Sequence, residues 1–369
     1  MTENDFILFD RIEVIKKTIE KYGEEKFYIS FSGGKDSTVL HHLIDEAIPG
    51  NKIPRVFMNT GIEYNDIRRF VEELTENDFI LFDRIEVIKK TIEKYGEENF
   101  YISFSGGKDS TVLHHLIDEA IPDNKIPRVF MNTGIEYNDI RRFVEELTEN
   151  DFRFVILNSK VNIPQMLKEK GYPFKSKEHS CKLSMFQKKG TETKSVSKYI
   201  NEKIFGCPDV LKYQFTDDFN LKVSDRCCYE LKKHPIQRYE KESGRNISIL
   251  GLRMGEGGQR ANHEGCVVFD SNHELKKFKP LNPCSNEFIE WYIESRNIEL
   301  CRLYYHPFDF KRTGCKGCPY AIDLQDKLEI MDKYFPNERK QCELIWKPVY
   351  EEYRRIGYRL KRIEEKRLF

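Results

Sequence analysis

Two groups of residues in this chain have types and spacing suited to chemistry. The first is Ser105-Gly106-Gly107-Lys108-Asp109-Ser110. It follows a short β-prone run, Phe100 to Phe104, and precedes a segment whose apolar residues Val112, Leu113, Leu116, Ile117 and Ile121 share one helix face. Strand, glycine turn and helix in that order make an anion seat. Glycines let the backbone approach a phosphate closely, and the unpaired amides at the helix start, aided by the helix dipole, bind its charge. Lys108 adds a point charge and is the candidate catalytic cation, while Ser105 and Ser110 add hydroxyl donors. The bland alternative is a glycine turn capped by Asp109. A Walker A loop is excluded, because no glycine stands five residues before Gly107 and an aspartate follows Lys108.

The second group is cysteine. Cys227 and Cys228 are adjacent, and Cys315-Lys316-Gly317-Cys318 follows after 86 intervening residues. A CxxC places two thiolates in one turn, as iron-sulfur and zinc sites both need, whereas two adjacent cysteines are unusual for a zinc ribbon. An iron-sulfur cluster, zinc and unligated thiols all stay open on spacing alone. Cys181, Cys207, Cys266, Cys284 and Cys301 read as small buried hydrophobes. His179, His234, His263 and His306 have no ligand spacing and receive no role.

The elements that must position these groups alternate. Phe79 to Tyr95 reads as an amphipathic helix through Phe82, Ile85, Ile88 and Ile92, and Phe100 to Phe104 as a strand. A second strand, Arg128 to Met131, ends at Asn132-Thr133-Gly134. A helix over Ile140 to Leu147 and a third strand, Phe154 to Leu157, come next. Alternating strands and helices predict an α/β fold, a doubly wound parallel sheet whose ligands bind at the strands' carboxyl ends. Residues 161 to 221 loosen into lysine-rich helices and loops. Ile247 to Leu252 returns to strand, and Asn286 to Ile293 and Arg339 to Tyr358 read as helices in a cysteine-bearing C-terminal part.

Residues 2–74 and 75–147 are one 73-residue segment written twice, differing only at Lys26 against Asn99 and Gly50 against Asp123. The copies meet at Thr-Glu-Asn-Asp-Phe, which begins at Thr2, Thr75 and Thr148, so slippage between short identities in a shorter parent explains them better than a solenoid does. The loop therefore also occurs as Ser32, Gly33, Gly34, Lys35, Asp36 and Ser37. Only the second copy runs directly into the strand at Phe154, so loop closure favours it as the working site. A swap, in which the first copy completes the sheet, costs little more. The organisation expected is 1–74 as a redundant half-domain, 75–280 as the nucleotide-binding domain and 281–369 as the segment with the second cysteine pair.

The neutral total hides an asymmetry: the copies carry −4 and −6, so residues 148–369 carry +10. A basic C-terminal part suits an anionic nucleotide and leaves room for a nucleic-acid acceptor. With 33% charged and 39% hydrophobic residues and no apolar run of membrane length, the chain reads as cytoplasmic, with no membrane partner.

The Ser105 to Ser110 loop resembles the PP-loop of the adenine nucleotide alpha hydrolase superfamily. With the paired cysteines, it makes the chain similar to the phosphoadenosine phosphosulfate reductase family over about residues 96 to 320. That resemblance implies an adenine nucleotide, adenylyl sulfate or ATP, at the loop, and a [4Fe-4S] cluster on Cys227, Cys228, Cys315 and Cys318. Asn132-Thr133-Gly134 resembles the family's strand-end DTG, with Asn in place of Asp, and would bring Thr133 and Gly134 to the nucleotide. Gly251-Leu252-Arg253 and Arg260-Ala261 resemble its arginine segment, so Arg253 and Arg260 would take the distal anion. Lys279-Pro280-Leu281 through Trp291 resembles the stretch leading to the second cysteine pair. The family's C-terminal Glu-Cys-Gly-Leu-His is missing. The last cysteine, Cys342, lies on an apolar helix face and is either packing or a displaced nucleophile.

Reduction of activated sulfate to sulfite, with a thiol reductant such as thioredoxin, is thus the first reading. ATP-dependent sulfur transfer, with Mg2+ and a sulfur donor, is the second. A nucleotide- and cluster-binding module without catalysis is the third.

Overall fold

A computed structural model describes residues 3–32, 34–56, 76–190, 193–202, 206–254 and 265–362. The chain divides into two units, 1–87 and 88–369.

In the first unit, α1 (Glu3–Tyr22) and α2 (Lys35–Ala47) accompany two short parallel strands, β1 (Ile29–Ser30) and β2 (Arg55–Val56). Ile19, Ile29, Ile44 and Ile53 form its small core. Helix α3 (Glu76–Tyr95) repeats α1 and carries the chain across the boundary.

The second unit builds a six-stranded sheet. Its strands are β3 (Phe100–Phe104), β4 (Arg128–Asn132), β5 (Phe154–Asn158), β6 (Ile247–Ile249), β7 (Val267–Phe269) and β8 (Leu275–Phe278), in the order β5-β4-β3-β6-β8-β7. All pairings are parallel except β7 with β8. The sheet is thus doubly wound as expected, with an antiparallel edge that the sequence reading missed because two such short runs carry little periodicity. Phe100, Ile102 and Phe104 on one face and Tyr101 on the other are buried, as a central strand covered on both faces requires. Chain order reverses between β3 and β6 at the strand that feeds the glycine loop, the switch point where such sheets open a crevice.

Helices α4 (Lys108–Ala120) and α5 (Asn138–Asn150) follow β3 and β4. The lysine-rich stretch resolves into α6 (Ile163–Lys170), α7 (Lys177–Lys189), α8 (Lys194–Asn201) and a 3-10 turn, Asp209–Phe215. A helical turn, Arg226–Cys228, passes through a π turn, Tyr229–Lys233, into α9 (His234–Ser243). The C-terminal part is α10 (Asn286–Ser295), α11 (Leu324–Tyr334) and α12 (Pro336–Ile356). Among the described residues, no helix is long and apolar enough to cross a membrane.

Because the two copies share a sequence, they isolate what packing adds. Val39, Leu40 and Tyr28 are 49%, 41% and 67% exposed in the first copy, whereas their counterparts Val112, Leu113 and Tyr101 are 0%, 0% and 2% exposed. Local structure repeats, but among the described residues the first copy's strands form a two-stranded sheet and the second copy's belong to one of six strands.

One polar network anchors that burial. The fully buried Arg128 donates from Nε to His114 Nδ1 at 3.0 Å and from Nη1 to Asn124 Oδ1 at 2.8 Å, and its Nη2 pairs with Asp118. Burial, then Arg128, pushes His114 down to about 3, so the ring is neutral and accepts the guanidinium proton. Removing one partner of a buried ion pair costs about 3–5 kcal/mol, here at the lower end because Arg153 still holds Asp118. Arg128→Ala is therefore expected to lower the denaturant midpoint of the main transition, and Arg55→Ala, its counterpart in the first copy, to leave that transition in place. His114 binds its proton only when unfolded, so its contribution is complete above about pH 6.5 and is lost as pH falls toward 3. A urea series across that range checks this, with the slope expected to flatten in His114→Gln.

Candidate nucleotide and four-cysteine site

Strand β3 ends inside the sheet, so the chain must turn at once to start α4. Gly106 makes that turn with φ +69°, and Gly107 follows in extended conformation as the N-cap. A Cβ on Gly106 would stand 3.0 Å from Ile140 Cγ2 and 3.2 Å from Val144 Cγ2, so the second copy's own helix α5 presses on the loop. The serines hold the turn from within. Ser110 Oγ donates to the Gly107 carbonyl at 2.9 Å and lies 3.0 Å from Ser105 Oγ, which accepts the Gly107 N–H. Their hydroxyls are thus committed to loop geometry first.

The other side of the loop comes from distant chain. Gly251 passes so close that a Cβ there would meet the Asp109 carbonyl oxygen at 2.7 Å, and Arg253 Nε pairs with Asp109 Oδ1 at 3.0 Å. Arg253 was expected to hold a distal anion. It is buried against the loop and engaged by Asp109, so in this structure it positions the loop. Arg260 lies outside the described residues. Lys108 Nζ stands 3.8 Å from Glu290 Oε1 on α10.

Tyr304 and Thr313 were missed by the sequence reading, and no local signal marks them. A Cβ on Gly107 would lie 3.1 Å from Tyr304 Oη and 3.6 Å from Thr313 Oγ1, and those two hydroxyls are 3.3 Å apart.

In the first copy, Ser32, Gly34 and Ser37 repeat the loop's internal hydrogen bonds. Lys35 and Asp36 are exposed there, whereas Lys108 and Asp109 are half-buried. Gly33 lies outside the described residues.

Beyond β4, Thr133 is buried. Its N–H and hydroxyl both donate to the Glu136 carboxylate, at 2.9 and 2.5 Å. Gly134, at φ +85°, donates its N–H to Asn132 Oδ1. Asn132 therefore organises the strand end as the aspartate of a DTG could, by accepting a backbone proton. The next residues meet the CxxC: Lys316 N–H donates to the Ile135 carbonyl at 2.7 Å, and Glu136 bridges to Cys315.

All four candidate ligands, Cys227, Cys228, Cys315 and Cys318, line one cavity with Ile135, Pro173, Leu231, Lys232, Tyr320 and Trp346. The π turn directly after the adjacent pair is a device often found at functional sites. Burial pushes the Cys227, Cys315 and Cys318 thiols up, Cys318 to about 12. Lys232 is held protonated well above its ordinary value, first by Cys315 and further by Glu136 and Cys228. Four thiols around one cavity are a ligand set of the kind that iron-sulfur clusters and zinc both use.

The CxxC is clamped by one face of α12. Glu338, Cys342, Trp346, Tyr350 and Tyr353 follow at helical spacing. Glu338 Oε2 lies 3.3 Å from Lys316 Nζ and also accepts the Asn138 N–H at 3.0 Å. Trp346 Nε1 donates to the Lys316 carbonyl at 3.2 Å, Tyr350 to that of Gly317, and Tyr353 to that of Pro319 at 2.9 Å.

Cys342 lies fully buried under Gly317, whose missing Cβ would stand 2.7 Å from its Sγ. Burial pushes its thiol up to about 12, the reverse of what a nucleophile needs. Cys342 thus sits against the CxxC backbone, closed off from solvent. Gly317→Ala is accordingly expected to cut metal uptake by the reconstituted protein several-fold. Cys342→Ala should retain it at some cost in stability, about 1–3 kcal/mol for a small buried side chain. Metal analysis and thermal melts on both variants check the pair.

The sequence pattern of the phosphoadenosine phosphosulfate reductase domain matches residues 26–101, 99–206 and 194–321. A curated relative, the glutamine-hydrolysing GMP synthase of Thermosipho africanus, is 29% identical over 142 residues, 37% of this chain and 26% of its own length. The chain thus spans about a quarter of that protein. Among solved structures, the phosphoadenylyl-sulfate reductase of Candida auris in a phosphate complex is 15% identical, with 68% of this chain and 93% of that one covered at a TM-score of 0.38. The FMN adenylyltransferase of Candida glabrata with FMN and an ATP analogue is 14% identical, covering 67% of each chain at 0.39. The U34-tRNA thiolase of Methanococcus maripaludis with its [4Fe-4S] cluster is 16% identical, covering 76% and 80% at 0.33. With matches running across most of its length from residue 26 to 321, the chain belongs to the phosphoadenosine phosphosulfate reductase domain family.

Proposed function

We propose that the chain is an adenine-nucleotide enzyme that cleaves ATP between its α and β phosphates at Ser105–Ser110 and activates an acceptor for sulfur transfer. The observation that carries this is adjacency: Thr313 stands at the phosphate loop and Cys315, two residues on, lines the four-cysteine cavity.

In the step proposed, an acceptor oxygen attacks the α phosphorus, the α–β bridging bond breaks and pyrophosphate leaves. A sulfide sulfur then displaces AMP from the activated acceptor, a substitution in which no electrons change hands. The loop amides and Lys108 would hold the departing pyrophosphate, with Mg2+ arriving on the nucleotide. Cys227, Cys228, Cys315 and Cys318 would hold a [4Fe-4S] cluster in preference to zinc, for whose ribbons two adjacent cysteines are unusual. Such a cluster supplies iron for handling sulfur. Residues 148–369, at +10, would meet a nucleic-acid acceptor.

Reduction of adenylyl sulfate or its 3′-phosphorylated form, with a thioredoxin-like reductant, is the second reading, supported by the family to which the chain belongs. It stood first on sequence. The burial of Cys342 reverses the order, since that reaction needs an accessible thiolate to attack sulfur.

Anaerobically purified protein is expected to release pyrophosphate from ATP and no sulfite from adenylyl sulfates supplied with thiol. Lys108→Ala should slow pyrophosphate release by about two orders of magnitude, the usual cost of one preorganised charge donor. Sulfite without pyrophosphate would sink the transfer reading and restore the reductase.

A further inference from the structure

Tyr320 follows the CxxC by two residues and lines the four-cysteine cavity. Its hydroxyl oxygen is sealed from solvent and, among the described residues, makes no hydrogen bond. Ser180 acts on this phenol but is engaged elsewhere: its Oγ accepts the Phe174 N–H and donates its own proton to the Phe174 carbonyl, both at 2.9 Å. A buried donor without an acceptor is costly, so the phenol calls for one. The chain on either side of Tyr320 is pinned. The Pro319 carbonyl accepts from Tyr353 Oη and from Arg359 Nη1, each at 2.9 Å, and the Ala321 carbonyl accepts from the same Arg359 nitrogen at 2.9 Å. The Ala321 N–H in turn bonds the Cys318 carbonyl at 2.9 Å. Tyr320 is thus held at the cavity wall through its neighbours, and none of these bonds reaches its own hydroxyl.

We propose that the Tyr320 hydroxyl donates a hydrogen bond to a sulfur atom of the group held by Cys227, Cys228, Cys315 and Cys318, and so tunes the electron density of that centre. The other side chains of the cavity leave sulfur as the acceptor. Ile135, Pro173 and Leu231 are apolar, Lys232 carries only donors, and the indole of Trp346 is a donor already bonded to the Lys316 carbonyl. What remains are the cysteine thiolates and the inorganic sulfide of an iron-sulfur cluster. A hydrogen bond draws electron density from a sulfur ligand and favours the more negative state of the centre, which for a redox-active cluster is the reduced one. Arg359 and Tyr353 are positioning residues in this scheme, because they fix the backbone from which the phenol reaches. The inference rests on the reading that the four cysteines hold an iron-sulfur group.

The test uses full-length protein reconstituted anaerobically with iron and sulfide, wild type against Tyr320→Phe and Arg359→Ala. Iron and sulfide content is measured first. The midpoint potential then follows from spectroelectrochemistry, and the Fe–S stretches from resonance Raman spectra in light and heavy water. Tyr320→Phe removes one oxygen and keeps the ring, so it should load iron as wild type does. Its reduction equilibrium should move roughly three- to tenfold toward the oxidised form, the worth of one hydrogen bond, which lowers the potential by up to about 59 mV for one electron. Part of the wild-type shift of the Fe–S stretches in heavy water should also disappear. Arg359→Ala keeps the phenol but frees the backbone on both sides of it, and should lower the potential by less. A lowered potential with the heavy-water shift reduced supports the bond. An unchanged or raised potential in iron-loaded Tyr320→Phe overturns it while leaving the cluster standing. Should Tyr320→Phe load no iron, Arg359→Ala decides: a lowered potential supports the proposal and an unchanged one overturns it. A wild-type protein that takes up no iron overturns the cluster reading and the proposal with it.

Discussion

The turn between β3 and α4 has almost no room. Gly106 is pressed by Ile140 and Val144, Gly107 by Tyr304 and Thr313, and Asp109 by the backbone at Gly251. Three parts of the chain, from α5, from the loop after β6 and from the C-terminal part, converge on six residues, and each can approach only because a side chain is missing there. This close approach sets the remainder. It draws β6 beside β3, brings Arg253 onto Asp109, and delivers the segment that carries Cys315 to the edge of the crevice.

The four-cysteine centre depends on a second long-range constraint. A CxxC can form anywhere, but this one is held beside Cys227 and Cys228 by α12, whose buried face bonds the carbonyl groups of Lys316, Gly317 and Pro319 and pairs with the Lys316 side chain. The sulfur ligands are thus fixed by backbone held from behind. The cavity in front of them is lined otherwise by the largely apolar Ile135, Pro173, Leu231, Tyr320 and Trp346, with Lys232 as its one cation.

How much of this was legible in the sequence follows from the range of each interaction. Strand β3 coincides with the run read from Phe100 to Phe104, and α4 begins at Lys108, because a central strand and a helix start announce themselves within a few residues. The family resemblance of the cysteines placed all four at one cavity. The expected helix after Arg339 is α12, beginning three residues earlier at Pro336, a residue favoured in the first helical turn. The antiparallel β7 and β8 escaped notice because three or four residues cannot establish a period. Tyr304 and Thr313 escaped for a different reason. Nothing in their neighbourhood differs from an ordinary turn, and their position against Gly107 is decided nearly 200 residues away. Arg253 was recognised as an anion-handling residue from its motif, yet its partner in the fold is the loop's own Asp109.

The repeated segment has a consequence for how this chain can change over time. Val112 and Leu113 are sealed inside the second unit, while Val39 and Leu40 are open to water, so the same substitution meets a packed core in one copy and solvent in the other. Selection for folding therefore acts strongly on one copy and weakly on its twin. Lys26 against Asn99 and Gly50 against Asp123 are the first two divergences, and Asp123 keeps the left-handed backbone that glycine adopts at position 50. Polar residues at Tyr28, Val39 and Leu40 would therefore cost the first copy little, where the same changes at Tyr101, Val112 and Leu113 would open a packed core.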